Sequence, residues 1–123
     1  FSGTDLKEVA RVSEVYGNGE IRLDFEQNIY LLGIKDVDLL LNEEIFKKYK
    51  NKNSIFFNHQ LACAGTQHCP FGVIENKNDA IELSNYLEQK VGDFAGKISL
   101  YWSGCVKGCG IHSLADIGFE GAK

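Results

Sequence analysis

The sequence contains no methionine among its 123 residues, and its first residue is Phe1. The expectation is therefore a piece of a longer protein whose own start lies elsewhere. No apolar run approaches the roughly 20 residues that a membrane-spanning helix needs. No basic segment is followed by a short apolar stretch, which argues against a secretory signal. Basic residues are in deficit, with 13 Lys and Arg against 17 Asp and Glu and a formal net charge of −4. A basic stripe of the kind that nucleic acid attracts is thus missing. The densest basic run, Lys47, Lys48, Lys50 and Lys52, reads as the solvated end of a helix, where the dipole favours cations. Low-complexity segments and internal repeats are missing as well. What remains is an ordinary globular balance, 44% hydrophobic and 24% charged, long enough for one modest core.

Within that balance the apolar residues are patterned. Leu6, Val9, Ala10, Val12, Val15 and Tyr16 recur at helical spacing, with Thr4 as the expected cap and Gly17-Asn18-Gly19 as the stop. Ile21, Leu23 and Phe25 alternate with Arg22, Asp24 and Glu26, the period of a half-buried strand. A second extended run covers 28–34. Helical spacing returns over 36–49 through Val37, Leu40, Leu41, Ile45 and Phe46. A polar break at 50–54 comes next, and Ile55-Phe56-Phe57 leads toward the first cysteine. Asn78 or Asp79 is placed to cap a helix carrying Ala80, Ile81, Ser84, Leu87 and Val91. Residues 92–96 form a turn, 98–102 a buried strand, and 115–119 a further short strand. The mixture is α+β, with helix–strand–strand–helix order at the front.

The four cysteines fall into two pairs, Cys63-x5-Cys69 and Cys105-x3-Cys109. Each pair sits in a glycine-containing loop after a predicted strand, and Gly104 and Gly110 flank the second. Such loops let the backbone curl and turn its N–H groups inward. Three chemistries compete for this pattern. Disulfides suit an oxidising compartment, to which nothing here points. Structural zinc usually takes closer spacing in each arm. A 4Fe–4S cluster takes four thiolates and suits the wider first loop. Spacing alone leaves all three open.

The stretches Ala62-Cys63-Ala64-Gly65-Thr66-Gln67-His68-Cys69 and Ser103-Gly104-Cys105-Val106-Lys107-Gly108-Cys109-Gly110 resemble the two cluster motifs of sirohaem-dependent nitrite and sulfite reductases. Ala115-Asp116-Ile117-Gly118-Phe119 is similar to the segment after the last cysteine in that family. Tyr16-Gly17-Asn18-Gly19-Glu20-Ile21-Arg22-Leu23, together with Glu26-Gln27-Asn28, resembles the ferredoxin-like half-domain that recurs twice in these enzymes. Glu26 stands where the first copy usually has arginine, so the likeness is to the second copy.

The resemblance implies a ferredoxin-like half-domain, residues 1–54, joined to a partial α/β cluster-binding domain, residues 55–123, truncated at its C-terminus. It implies six-electron reduction of nitrite to ammonia or sulfite to sulfide in the cytoplasm, with ferredoxin or a reductase as donor. Cys63, Cys69, Cys105 and Cys109 would hold the 4Fe–4S cluster, and Cys109 would also be the axial bridge to sirohaem iron. Thr66, Gln67, Asn28 and Lys107 are candidates for the cofactor pocket. Lys107 occupies a position where the family often has asparagine, and as a cation it suits a sirohaem carboxylate. His68 and His112 are candidate donors to sulfur, while Arg22, His59 and Trp102 read as structural. The distal cations expected to hold the oxyanion lie outside these residues, so no catalytic residue is assigned and the piece alone is expected to be inactive. Two alternatives share parts of the pattern: a precorrin-3B synthase-like enzyme of corrin synthesis, and a non-catalytic iron–sulfur or zinc module.

Overall fold

A computed structural model describes residues 1–49, 54–91 and 97–122. The chain divides into two compact units, Phe1–Lys50 and Asn51–Lys123. The expected turn at 92–96 and most of the polar break at 50–54 lie outside the described residues.

The first unit opens with helix α1, Gly3–Tyr16. Its cap is Ser2 rather than the expected Thr4. The Ser2 hydroxyl accepts from the Asp5 N–H, and the Asp5 carboxylate accepts from the Ser2 N–H, a reciprocal capping box. Asp5 is buried and also accepts from Lys48 Nζ and Tyr49 Oη. Lys48 is therefore an ion-pair partner of a buried carboxylate, not merely a solvated end of the basic run. The Lys48 hydrogen bond, supported by Ser2 and Tyr49, holds the Asp5 carboxyl well below the usual carboxylate range.

Strands β1, Ile21–Leu23, and β2, Ile29–Leu31, form an antiparallel hairpin in which Arg22 faces Tyr30 across the ladder. The alternating pattern predicts one buried face. In the structure all three residues of β1 are exposed, Leu23 at 74%. Phe25 in the turn is open too. Among the described residues of this unit nothing covers that side of so short a hairpin, so its apolar residues stay in solvent.

The helical run expected over 36–49 is broken into α2, Val37–Leu41, and α3, Glu44–Lys48. The break lies at Asn42-Glu43. The Glu43 carboxylate accepts from both Tyr16 Oη and Arg11 Nη2 on α1, which pins the break in place. Those two bonds, Tyr16 first, hold Glu43 below its ordinary range. Val9, Val12, Leu40 and Ile45 form the core, flanked by Tyr16, Ile29, Leu31, Ile34 and Phe46.

The second unit is built on a parallel sheet of β3, Gln60–Ala62, β4, Leu100–Ser103, and β5, Ile117–Glu120, in that spatial order. Leu61 pairs with Tyr101 and Trp102 with Phe119. Helix α4, Asn76–Val91, lies between β3 and β4 in the chain, giving a β–α–β unit. The helix begins before the expected caps Asn78 and Asp79, whose N–H groups donate to the Glu75 carbonyl. Residues 57–59 are a short 3-10 turn, not an extension of the strand. Every residue of β4 is buried, as a central parallel strand requires. Trp102 joins Ala62 and Ala80 in the core and stacks on Phe119, with centroids 3.9 Å apart. Its reading as a core residue therefore holds, and the stacking comes with it.

Candidate metal centre

Parallel pairing decides where the cysteines go. Both loops leave the carboxyl ends of adjacent strands, Cys63 directly after β3 and Cys105 two residues after β4. The first loop is tied to β4 at its root, where Cys63 N–H donates to the Trp102 carbonyl at 3.1 Å. The carboxyl edge of a parallel sheet is where open α/β folds generally bind their ligands.

The loops approach through glycines. Gly65 has φ +64°, and a Cβ there would lie 2.8 Å from the Asn76 nitrogen. A Cβ on Gly104 would come within 3.3 Å of Gly65 Cα and 3.4 Å of Cys63 Sγ. The first loop is further closed by Cys69 N–H donating to the Gly65 carbonyl at 2.9 Å, and by Thr66 N–H donating to the Ile74 carbonyl at 3.0 Å. The second is closed by Gly110 N–H, which donates to the buried Ser103 Oγ at 3.1 Å. Ile111 comes next with φ +43°, a conformation that a β-branched side chain rarely adopts.

All four thiols are unpaired in this fold. Cys63, Cys69 and Cys105 are half-buried and Cys109 is exposed. Cys63 Sγ accepts from Gly104 N–H at 3.1 Å and from Asn76 Nδ2 at 3.3 Å. Donors aimed at sulfur suit a thiolate better than a thiol. Among the described residues, no three His, Cys, Asp or Glu side chains converge as ligands of one ion. The buried Asn76 Oδ1, on the side chain that bonds Cys63, has no partner among the described residues. Four unpaired thiols, two donors aimed at the Cys63 sulfur, a glycine cradle and this orphaned amide oxygen together fit a bulky group held between the loops.

The remaining candidates are distributed unevenly. Thr66, Gln67 and His68 are exposed in the first loop. Lys107 is exposed in the second, with Nζ 3.2 Å from the centroid of the Phe71 ring, a cation–π contact linking the two loops. Asn28 belongs to the first unit, where its N–H and Nδ2 donate to the Asp24 carboxylate and close the hairpin turn. Arg22 is exposed and pairs with Glu20. His112 does not reach a sulfur. Its Nδ1 stands 2.8 Å from Ser103 Oγ and its Nε2 3.2 Å from Glu120 Oε2. With the imidazole proton on Nε2, Ser103 donates to His112 and His112 to Glu120, so one chain of bonds fastens β4, the second loop and β5. The buried Asn76 and Ser103 escape a reading of the sequence, because short polar residues near loops look like caps or solvent contacts. The one available signal is the place of Ser103 at the start of the second cysteine motif; Asn76, seven residues after Cys69, has none.

Comparison with known proteins adds a separate line. Residues 1–48 match the nitrite/sulfite reductase ferredoxin-like half domain. The ferredoxin–nitrite reductase of Synechococcus elongatus is 38% identical over 121 residues, covering 97% of this chain and 23% of that protein. The chloroplastic ferredoxin–nitrite reductase of Spinacia oleracea is 36% identical over 120 residues, covering 95% of this chain and 20% of that protein.

Residues 1–48 thus carry the ferredoxin-like half domain of nitrite/sulfite reductases, and the chain is similar to ferredoxin–nitrite reductases along nearly its whole length.

It spans about a fifth of the length of these relatives. The α+β class and the ferredoxin-like half-domain agree with the fold described above. The likeness extends to the assimilatory ferredoxin-dependent nitrite reductase of Haloferax mediterranei, 29% identical over 127 residues, covering 100% of this chain and 22% of that protein. No helix among the described residues is long and apolar enough to cross a membrane.

Proposed function

We propose that this chain is the second ferredoxin-like half-domain and the cluster-binding segment of a nitrite reductase. On this reading the first compact unit is the half-domain, and the second holds a 4Fe–4S cluster through Cys63, Cys69, Cys105 and Cys109. The observation that carries it is the parallel β3–β4 pairing, which brings both cysteine loops to one sheet edge. The relatives' names favour nitrite over sulfite as substrate, and ferredoxin as donor. When bound, the cluster and a sirohaem joined to it would supply the one-electron steps of a six-electron reduction.

The chain's own residues bind and orient. Gly104 N–H and Asn76 Nδ2 offset charge on the Cys63 sulfur. The Ser103–His112–Glu120 chain holds the second loop in its curl. Cys109 is the most open of the four cysteines, which suits the thiolate assigned to reach sirohaem iron. Lys107, Thr66 and Gln67 are exposed on the same loops, where a tetrapyrrole carboxylate would find a cation and hydroxyl and amide donors. Asn28 is retained as a pocket residue on resemblance alone. A cytoplasmic setting would keep the unpaired thiols reduced.

The test uses the intact parent protein, purified without oxygen. Four irons, four sulfides, a sirohaem absorption band and ferredoxin-driven nitrite turnover are expected. Stoichiometric zinc in place of iron would sink the proposal. Residues 1–123 alone are expected to show no turnover, and measurable sirohaem-dependent turnover by them would contradict the assignment.

A further inference from the structure

Asn76 is the first residue of α4, and its side chain is wholly buried. Its Nδ2 donates to the Trp102 carbonyl at 2.8 Å and reaches the Cys63 carbonyl oxygen and Cys63 Sγ, each at 3.3 Å. One amide therefore touches the root of the first cysteine loop and the last stretch of β4, from which the second loop springs. Its place is fixed from the other side by Gly65, since a Cβ there would lie 2.9 Å from Asn76 Cβ. Two amide hydrogens face three acceptors. The short bond to Trp102 takes one, and the Cys63 carbonyl and sulfur share the other. A neutral thiol competes weakly for that hydrogen, while a thiolate competes well. The bond to sulfur thus strengthens as negative charge builds on Cys63.

Resting on the cluster reading above, we infer that Asn76 is a positioning residue that tunes the cluster through the Cys63 sulfur. Hydrogen bonds to ligating sulfurs help set the potential of iron–sulfur centres. The reduced cluster carries one more electron than the oxidised cluster, so it gains more from an N–H aimed at its ligand. Losing the donor favours the oxidised form and lowers the midpoint potential. A residue that only joined β3 to β4 would, when lost, weaken the fold without moving the potential.

The intact parent reductase is the material for the test, in wild-type form and as Asn76→Leu, Asn76→Thr and Ser84→Ala. Iron and sulfide analysis of the wild type comes first, and lack of iron there removes the cluster reading and this inference together. With iron present, the cluster is titrated electrochemically and its reduced fraction followed by electron paramagnetic resonance. At the wild-type midpoint, Asn76→Leu is expected to lower the reduced-to-oxidised ratio about three- to tenfold, the scale of one ordinary net hydrogen bond. Tenfold corresponds to about 59 mV for one electron. Asn76→Thr keeps a single hydroxyl donor and is expected to shift in the same direction by less. Ser84→Ala loses a bond to Gln60 from the same helix and is expected to hold the wild-type potential. Wild-type potential in Asn76→Leu with its iron intact overturns the inference. Should Asn76→Leu lose its iron, wild-type potential in Asn76→Thr does the same.

Discussion

The first unit closes on Val9, Val12, Leu40 and Ile45, with Asp5 and Ser13 as its buried polar side chains. The second buries Ala62, Ala80 and Trp102 as one cluster, Phe56, Leu61, Leu100 and Tyr101 besides, and Ser54, Asn76, Ser84 and Ser103 as its buried polar side chains. Aliphatic burial in the first unit stabilises a shape and tolerates exchange of one hydrocarbon for another. Buried hydrogen-bonded groups in the second tolerate little, because each must meet its partner or cost desolvation free energy. The two units bury polar side chains in similar proportion, but only in the second do two of them, Asn76 and Ser103, bond to the cysteine loops.

The sharpest way to break this comparison is to crowd the second unit where it has no slack. A Cβ at Gly110 would lie 1.9 Å from the Trp102 carbonyl oxygen. Gly110→Ala is expected to cost more than about 4 kcal/mol, in the range reserved for severe backbone conflict. Trp102 is the sole tryptophan, so its fluorescence follows this unit alone. A Gly110→Ala chain with a wild-type fluorescence transition would refute the claim.

Next come matched core deletions. Leu100 and Val12 are both wholly buried, one in each unit. Leu100→Ala is expected to cost about 3 kcal/mol and Val12→Ala about 2, by the usual scale for deleted methyl groups. Urea titrations read by tryptophan fluorescence and by circular dichroism should separate them. Leu100→Ala should move both signals. Val12→Ala should move only the dichroism, and a matching move in fluorescence would mean the units unfold as one.

Acid should reveal a smaller difference. Asp5 and Glu43 in the first unit have folded pKa values below those of free carboxylates. Glu88, bonded first to Ser54, and Asp116, bonded first to the Ser99 N–H, do likewise in the second. Depressed carboxylates contribute stability above the unfolded pKa, near about 4, that is lost as pH falls toward the folded values. Both units should therefore weaken below about pH 4. Asp5→Asn should flatten that slope for the first unit only, and a change in the fluorescence-detected slope would count against this. The smallest effect is expected at Leu23, which is 74% exposed. Leu23→Ser should change stability by no more than about 0.5 kcal/mol, as surface changes do. A larger loss would show that the hairpin's apolar side is covered after all.

The same contrast governs how much the sequence reveals. Helix α1 and the hairpin are legible because each repeats apolar residues at its own period, and β4 because its apolar residues run without a break. Local chemistry shifts the details, as when Ser2 displaces Thr4 as the cap by trading bonds with Asp5. The α2–α3 break is illegible because it depends on Glu43 meeting Arg11 and Tyr16, distant in sequence. β1 misleads because alternation reports a face that could be buried, not whether anything covers it. At the candidate site the cysteines announce themselves by motif. Asn76 and Ser103 do not, since their importance lies in partners that only parallel pairing supplies.

The position of β4 between β3 and β5 also dictates an order of events during synthesis. Cys63 and Cys69 leave the ribosome before α4 and β4 have been made. Cys105 and Cys109 emerge later, but β4 then has one bare edge until residues 117–120 arrive to pair with it. On the cluster reading proposed above, a cofactor delivered before that moment would meet a second loop that still lacks the His112–Glu120 tie to β5. On that reading, pairing of β5 would close the sheet last, and loading of the four thiols would be a late step.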